Sequence, residues 1–187
     1  MAMVHVVRSQ IASRAGDWSA TLAAADRALR LAPTLHTARL LRALAMLRLG
    51  RVEEAGAELG RLRASHPADH ETAAVWGQYL IVAGRAAEAL PVLEGAATGL
   101  ERDPGAWDAL GFAYVNAGRF EQARDAFART VAIQPGYLEG WMRLAGACQR
   151  LGDVAGRERA LDAAARLPGG PERVALMRRR LEALGGR

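Results

Sequence analysis

The sequence predicts an all-α protein, a solenoid built from antiparallel helix pairs, and three observations support this fold class. Glycine recurs at intervals of 34 residues, at Gly16, Gly50, Gly84, Gly118 and Gly152. Apolar residues stand at helical spacing on both sides of these glycines. The chain is 51% hydrophobic but only 5% aromatic, and β-branched residues are few, which favours helices over strands.

The recurring glycines predict where the first helix of each pair ends. Glycine adopts the left-handed backbone conformation that often follows a helix, whereas a residue with a side chain adopts it at a cost. The second helix carries an apolar stripe that includes the positions nine residues after the glycines, Ala25, Leu59, Leu93, Phe127 and Leu161. The stripe of the first helix includes the positions seven residues before them, Ser9, Ala43, Gly77, Gly111 and Ala145. Seventeen residues after three of the glycines, Pro33, Pro67 and Pro135 mark the ends of second helices.

With these columns aligned, the chain resembles the tetratricopeptide repeat family. The family pattern W-x2-L-G-x2-Y, then A-x3-F and a closing proline, is met by Trp107, Leu110, Gly111, Tyr114, Ala123, Phe127 and Pro135. The resemblance covers five repeats, residues 2–35, 36–69, 70–103, 104–137 and 138–171. It implies a right-handed superhelical solenoid whose first helices line a concave groove. Residues 172–187 are expected to form a capping helix and tail, with Val174, Met177, Leu181 and Leu184 on one face.

The first two repeats depart from the family pattern. Their tryptophan and leucine positions hold His5 and Arg8 in the first repeat, and Arg39 and Arg42 in the second. These residues leave the packing of the two first helices open. In the fifth repeat, Arg157 stands in a column that holds a small residue in the other four repeats.

Charge and composition exclude several classes of function. All 25 basic side chains are arginine, so a Walker-type phosphate loop and a lysine Schiff base are excluded. The net charge is +4 over residues 1–70, −3 over residues 71–156 and +4 over residues 157–187. Because the basic residues do not form one stripe, tight nucleic-acid binding is not expected. Cys148 is the only cysteine and no apolar run is long enough to cross a membrane, so we expect a soluble, cytoplasmic chain.

No arrangement of residues typical of catalysis is recognisable, and the chain is expected not to be an enzyme and to need no cofactor or metal. The four histidines, His5, His36, His66 and His70, lack metal-binding spacing and are interpreted as solvated loop residues. Cys148 falls in an apolar column and is interpreted as a small buried residue. The tryptophans are interpreted as core residues.

A partner is expected to bind residues of the first helices that lie off the core stripe. These candidate residues are Leu40, Leu44, Arg48, Glu71, Gln78, Asp108, Phe112, Asn116, Glu139, Met142, Gln149 and Arg150. Phe112 and Met142 are the expected apolar anchors, and Asn116 is the expected amide for a partner backbone. Glu71, Asp108 and Glu139 add an acidic bias. The expected partner is therefore a protein or peptide segment with apolar anchors and some positive charge.

Three functions remain open on this basis. The leading hypothesis is a protein-interaction scaffold or adaptor, chaperone-like in holding a segment of another protein in its groove. The second is a recruitment or substrate-recognition module of an enzyme, such as a transferase, whose catalytic domain lies elsewhere. The third is a nucleic-acid binder that uses the basic ends of the chain.

Overall fold

Eleven helices make up the part of the chain that the computed structural model describes, which comprises the backbone of residues 1–185 and the side chains of residues 1–180. The helices are α1 (Ala2–Arg14), α2 (Trp18–Leu31), α3 (His36–Arg48), α4 (Val52–Ser65), α5 (His70–Val82), α6 (Ala86–Gly99), α7 (Pro104–Asn116), α8 (Phe120–Ile133), α9 (Leu138–Leu151), α10 (Val154–Ala165) and α11 (Gly170–Gly185). No strand occurs in residues 1–185. The predicted all-α fold, five helix pairs followed by one further helix, is confirmed.

The turn inside every pair has the same geometry. The five glycines at 34-residue spacing have φ between +71° and +79°, as predicted for the residue that ends a first helix. In each turn, the N–H of the residue after the glycine donates to the carbonyl oxygen five residues before it, at 2.7–3.0 Å. This hydrogen bond satisfies a carbonyl group that the end of the helix leaves without an intrahelical partner.

The helix starts and the remaining ends also follow from the sequence. Aspartates 17, 69, 103 and 153 precede α2, α5, α7 and α10, and each accepts a hydrogen bond from the backbone N–H three residues later, at 2.8–2.9 Å. Such caps stabilise a helix by about 1 kcal/mol each. Helices α2, α4 and α8 end two residues before Pro33, Pro67 and Pro135, as expected because proline cannot continue a helix.

The chain divides into two compact units. The first unit, Met1–Gly99, contains α1–α6, and the second, from Leu100 onward, contains α7–α11. Within each unit, consecutive helices pack against one another. The predicted stripe of the second helices supplies the most deeply buried large side chains, among them Leu59, Leu93, Phe127 and Leu161. Burial of each such side chain contributes about 1.5 to 3 kcal/mol.

Within a pair, the two stripes meet where a small residue of the first helix faces a large residue of the second. A Cβ atom placed on Gly77 would lie 2.4 Å from Cγ of Leu93, and one on Gly111 would lie 2.6 Å from Cε1 of Phe127. Neither position has room for a side chain. These glycines are therefore required by the close approach of the two helices. This explains why the W-x2-L-G pattern has a glycine at this position.

The packing of α3, which the sequence left open, is resolved by a buried carboxylate. Glu58 of α4 is only 3% exposed. Its Oε1 accepts from Arg39 Nε at 2.7 Å and lies 3.1 Å from Arg42 Nη2, and its Oε2 lies 3.4 Å from Arg61 Nη1. The two arginines in the tryptophan and leucine positions are thus paired with α4 through their charged groups.

The packing of α1 uses smaller residues. Val6 is buried against Ala28 and Leu29 of α2 and Ala38 of α3. The Oγ atom of the fully buried Ser9 donates to the carbonyl oxygen of Thr21 at 2.9 Å. The first helix is therefore anchored through one valine and one hydrogen bond rather than through the aromatic side chain of the family pattern.

Helix α11 lies where a capping helix was predicted. Val174 is buried in a cluster with Ala160, Leu161 and Ala164 of α10, and Met177 packs against the same cluster. The predicted roles of the Leu181 and Leu184 side chains, and of the tail after residue 185, fall outside the described residues. The observed contacts show that α11 covers part of the apolar face of α10.

The close approach of the helices predicts opposite outcomes for two glycine substitutions in the first unit. Gly77→Ala should lower the free energy of unfolding by about 1 to 3 kcal/mol, because its methyl group would collide with Leu93. Gly95→Ala, in α6, meets no atom within 4 Å and should raise it by up to about 1 kcal/mol through helix propensity. Urea unfolding followed by circular dichroism measures both. Equal effects of the two substitutions would contradict the proposed role of Gly77.

The buried carboxylate predicts a rescue. Glu58→Ala should lower the free energy of unfolding by about 2 to 4 kcal/mol, because Arg39 and Arg42 lose their partner. The triple variant Arg39→Trp, Arg42→Leu, Glu58→Ala installs the residues found in the same columns of the fourth repeat. It should be at least as stable as the wild type, since apolar packing replaces buried charge without loss. If the triple variant is no more stable than Glu58→Ala alone, the network does not substitute for the apolar contacts.

Candidate functional site

In the first unit, the candidate residues differ in how accessible they are. Leu40 is 7% exposed and packs in a core cluster with Leu59, Leu62 and Val75, and Leu44 is half-buried against the same cluster. Leu40 therefore contributes to packing and offers no surface to a partner. It faces the core because α5, as well as α4, packs against α3.

The polar candidates of the first unit remain at its surface. Arg48 donates to the side-chain oxygen of Gln78 at 2.9 Å, which links α3 to α5, and its guanidinium lies 5.5 Å from the ring of Trp18. Glu71 is exposed near the start of α5. The side chains of Arg48, Gln78 and Glu71 are polar and therefore do not provide the apolar surface that was expected to anchor a partner.

In the second unit, Phe112 stands out because it is exposed. It projects from α7 with 43% of its surface accessible, although it is a large aromatic residue. The guanidinium of Arg143, on α9, lies 5.7 Å from the centre of its ring, within the range of a cation–π contact. The ring is thus held in place by a charged neighbour while part of it remains free to contact another molecule.

Arg143 also joins a chain of ion pairs that the sequence did not reveal. It pairs with Asp108 of α7 and lies 3.6 Å from Glu139 Oε1, and Glu139 in turn pairs with Arg173 of α11. Burial lowers the pKa of Arg143, but the nearby Asp108 carboxylate outweighs this effect, and the pKa is raised overall. Asp108 is itself buried. Two of the three carboxylates that suggested an acidic surface, Asp108 and Glu139, are therefore paired with arginines.

The remaining candidates of the second unit point in different directions. Met142 packs against the buried cluster that contains Leu161 and Val174, so it lies toward α10 and α11. The Oε1 atom of Gln149 accepts from Arg157, and the guanidinium of Arg150 lies 4.1 Å from the ring of Phe120. The structure therefore does not show these three side chains converging on Phe112.

Asn116 of α7 leaves a polar group uncovered, and Gly146 of α9, which stands in the same column as Phe112 one repeat later, borders open space. Asn116, one turn further along α7, donates from Nδ2 to the Phe112 carbonyl oxygen at 2.9 Å, which leaves its Oδ1 available as an acceptor. Gly146 lies one turn beyond Arg143 on α9, as Phe112 lies one turn beyond Asp108 on α7. A Cβ atom on Gly146 would meet no atom within 4 Å. We call Phe112, Asn116, Arg143 and Gly146 the Phe112 surface.

The cysteine and histidine side chains, which could in principle take part in catalysis or metal binding, lie elsewhere in the structure. Cys148 is buried, as predicted, and burial and the nearby Asp153 carboxylate raise the pKa of its thiol. His36 is the first residue of α3, and its Nε2 atom lies 3.0 Å from Asp69 Oδ2 and 3.2 Å from Thr72 Oγ1. The interpretation of His36 as a solvated loop residue was therefore wrong. Burial opposes ionisation of Asp69, but its hydrogen bonds with Thr72 and His36 prevail, and its pKa is lowered. Among the residues that the structure describes, no three acidic, histidine or cysteine side chains form a metal-binding group.

The chain is similar to known repeat proteins. Residues 14–129, more than half of its length, match the family model described as Psidin, N-terminal TPR repeats region. None of the curated proteins matches it. Within residues 1–185, no helix has both the length and the apolar character needed to cross a membrane.

Three solved structures illustrate the likeness of the fold. TTC0263, a thermophilic TPR protein in Thermus thermophilus, has a TM-score of 0.78 at 20% identity, covering 98% of this chain and 99% of that one. YrrB, a TPR protein with an unusual peptide-binding site, has a TM-score of 0.64 at 19% identity, covering 96% of this chain and 92% of that one. MamA 41-end from Desulfovibrio magneticus RS-1 has a TM-score of 0.63 at 20% identity, covering 89% of this chain and 94% of that one.

The pairing of Asp108 with Arg143 predicts a measurable loss of stability. Asp108→Ala should lower the free energy of unfolding by about 1 to 3 kcal/mol, because a largely buried guanidinium loses its carboxylate partner. Asp125→Ala removes a carboxylate from an exposed pair with Arg124 and should change it by less than about 1 kcal/mol. Thermal unfolding of the two variants tests the contrast. A similar, small effect of both would show that the Asp108–Arg143 pair contributes no more than a surface ion pair.

Proposed function

This chain belongs to the tetratricopeptide repeat family, and from that premise we propose that it is a protein-interaction scaffold that binds a segment of a partner protein at the Phe112 surface. The observation that carries the proposal is the exposure of Phe112 on α7. A large aromatic side chain that is held by Arg143 but remains 43% accessible gains much from desolvation when a partner covers it. Aromatic and arginine residues are enriched among the residues that dominate binding energies.

The contacts around Phe112 specify what a partner segment needs. Gly146, one turn beyond the Arg143 that contacts the ring of Phe112, borders open space, and we propose that an apolar side chain of the partner enters this space. The free Oδ1 of Asn116 accepts a hydrogen bond, which fits a backbone N–H of an extended segment. Asp108 and Glu139 are paired with arginines, so we expect the apolar anchor to supply most of the affinity. A positive charge on the partner, which the sequence suggested, contributes little here.

The likeness to YrrB supports a peptide as the ligand. That protein has an unusual peptide-binding site and a similar fold over 96% of this chain.

The proposal is that the present chain is a binding protein and not an enzyme. The Cys148 thiol, whose pKa is raised by burial, is protonated at neutral pH and thus a poor nucleophile. We propose a cytoplasmic location, because a chain with one cysteine contains no intrachain disulfide.

The proposal predicts that binding depends on Phe112 and on the space next to it. Peptides selected from a random displayed library against the wild-type protein should bind Phe112→Ala about 5- to 150-fold more weakly, a loss of about 1 to 3 kcal/mol. Gly146→Phe should block the same peptides by filling the open space, without disturbing the core. Isothermal titration calorimetry measures both effects.

Two further measurements control this experiment. Val154→Ala removes an exposed apolar side chain of α10 in the same unit and should leave the affinity unchanged. Circular dichroism should show that all variants keep their helices. Selected peptides that bind Phe112→Ala and Gly146→Phe as tightly as the wild type, or a selection that enriches no peptide, would show that the Phe112 surface is not the binding site.

A further inference from the structure

The second repeat lacks an aromatic side chain that two other repeats place at the same position. In the fourth and fifth repeats, the indole N–H groups of Trp107 and Trp141 donate to the carbonyl oxygens of Glu101 and Pro135, at 3.0 and 2.7 Å. Each acceptor lies six residues before its tryptophan. In the second repeat, the position of the tryptophan holds Arg39, and the residue six positions earlier is Pro33.

A cleft is open at this place. It has a volume of about 310 Å³ and lies between α2 and α3 in the first unit, and we call it the Arg39 cleft. Its lining residues are Asp26, Leu29, Arg30, Pro33, Arg39 and Arg42. This volume is at the lower end of the range found for small-molecule sites, and the cleft includes the residues that replace the usual tryptophan and leucine.

The charged groups of the cleft are not balanced. Arg39 and Arg42 share one carboxylate, Glu58, which also has Arg61 nearby. The second acid, Asp26, lies 3.9 Å from Arg42. Arg30 lies at the edge of the cleft, is exposed and forms no ion pair with the described residues. Three arginines and one aspartate line the cleft, and Glu58, which does not line it, neutralises part of the charge of Arg39 and Arg42. The remaining excess of positive charge favours an anion.

The apolar wall adds a second requirement. Leu29 and Pro33 line the cleft together with three arginines, and planar rings stack well on guanidinium groups. The same chemistry occurs elsewhere in this chain, where the guanidinium of Arg63 lies 4.9 Å from the ring of Trp76 and that of Arg129 lies 5.5 Å from the ring of Trp107. A ring in the cleft would occupy the place of the missing indole.

We propose that the Arg39 cleft binds an aromatic group that carries a carboxylate. The ring contacts Leu29 and Pro33, and the carboxylate pairs with Arg30 and the accessible edges of Arg39 and Arg42. The ligand is either a small aromatic acid or an aromatic residue next to an acidic residue in a partner protein. The cleft lies in the first unit, so this inference does not depend on the Phe112 surface of the second.

Two probes and a neutral analogue test the inference on the full chain. Indole-3-acetate should bind with a Kd of about 1 mM, as expected for a ligand of this size, in a buffer of about 50 mM sodium chloride. Indole-3-acetamide, which lacks the charge, should bind at least about fivefold more weakly. The resonances of α2 and α3 should shift in NMR titrations. The peptide acetyl-Gly-Trp-Glu-Gly-amide distinguishes the source, since tighter binding than indole-3-acetate indicates a protein segment and weaker binding a small molecule.

Variants assign the binding to the cleft. Arg39→Trp fills the cleft with the family residue and should abolish binding, while Arg30→Gln, at an exposed position that does not endanger folding, should weaken the acid about two- to fivefold. Arg61→Gln removes an arginine that pairs with Glu58 but does not line the cleft, and should leave the affinity within about twofold. The inference is overturned if neither probe binds at about 10 mM, if the amide binds as well as the acid, or if Arg30→Gln and Arg39→Trp bind like the wild type.

Discussion

The approach of the two helices within each pair is the contact on which the rest of the structure depends. Phe127 fills a position where Gly111 has no side chain, and Leu93 does the same against Gly77. In two of the other three pairs, Leu59 and Ala43, and Leu161 and Ala145, belong to the same core clusters, whereas the first pair has two small residues, Ser9 and Ala25, at these positions. In four of the five pairs, a small residue on one helix and a large one on the other keep the summed volume nearly constant. This complementarity maintains the helix spacing even though the individual residues change.

The glycine turns and the aspartate caps make this contact repeat in register. In every pair the turn has a positive φ and the same hydrogen bond, and the second helix starts two residues after the glycine. Side-chain packing then limits which residues can stand in the core columns. Positions off those columns are free to vary, which is how an exposed Phe112 arises in one repeat and not in the next, whereas the arginine-lined cleft arises where Arg39 and Arg42 replace the tryptophan and leucine of the pattern.

The sequence was sufficient to predict the helices, their turns and the buried columns, because these depend on the spacing of residues along one helix or across one short turn. It was not sufficient for contacts between charged groups of different helices. Arg39 and Arg42 were recognised as departures from the pattern, but their partner is Glu58, on another helix. One signal was available, since Glu58 stands in a column whose other members are all apolar, Ala24, Val92, Ala126 and Ala160. Coupled departures of this kind indicate a pair.

The candidate site was predicted in part for the same reason. The exposure of Phe112 follows from its place off the stripe, whereas the burial of Leu40 depends on how α5 packs over α3, which the pattern of α3 alone does not contain. Arg143 was missed because its column holds apolar residues in the other repeats, Val7, Leu41, Val75 and Ala109. Its role depends on Asp108, 35 residues away, and on the ring of Phe112.

The burial of Cys148 has a practical consequence for studying how the molecule opens. It is the chain's only thiol, it is 2% exposed on α9, and its sulfur faces Gly156 of α10. A thiol reagent in solution reaches it only when these helices separate. When reclosing is faster than the reaction, the rate of modification under native conditions therefore reports the fraction of molecules in which the second unit is locally or globally open around Cys148, without a label introduced by mutation.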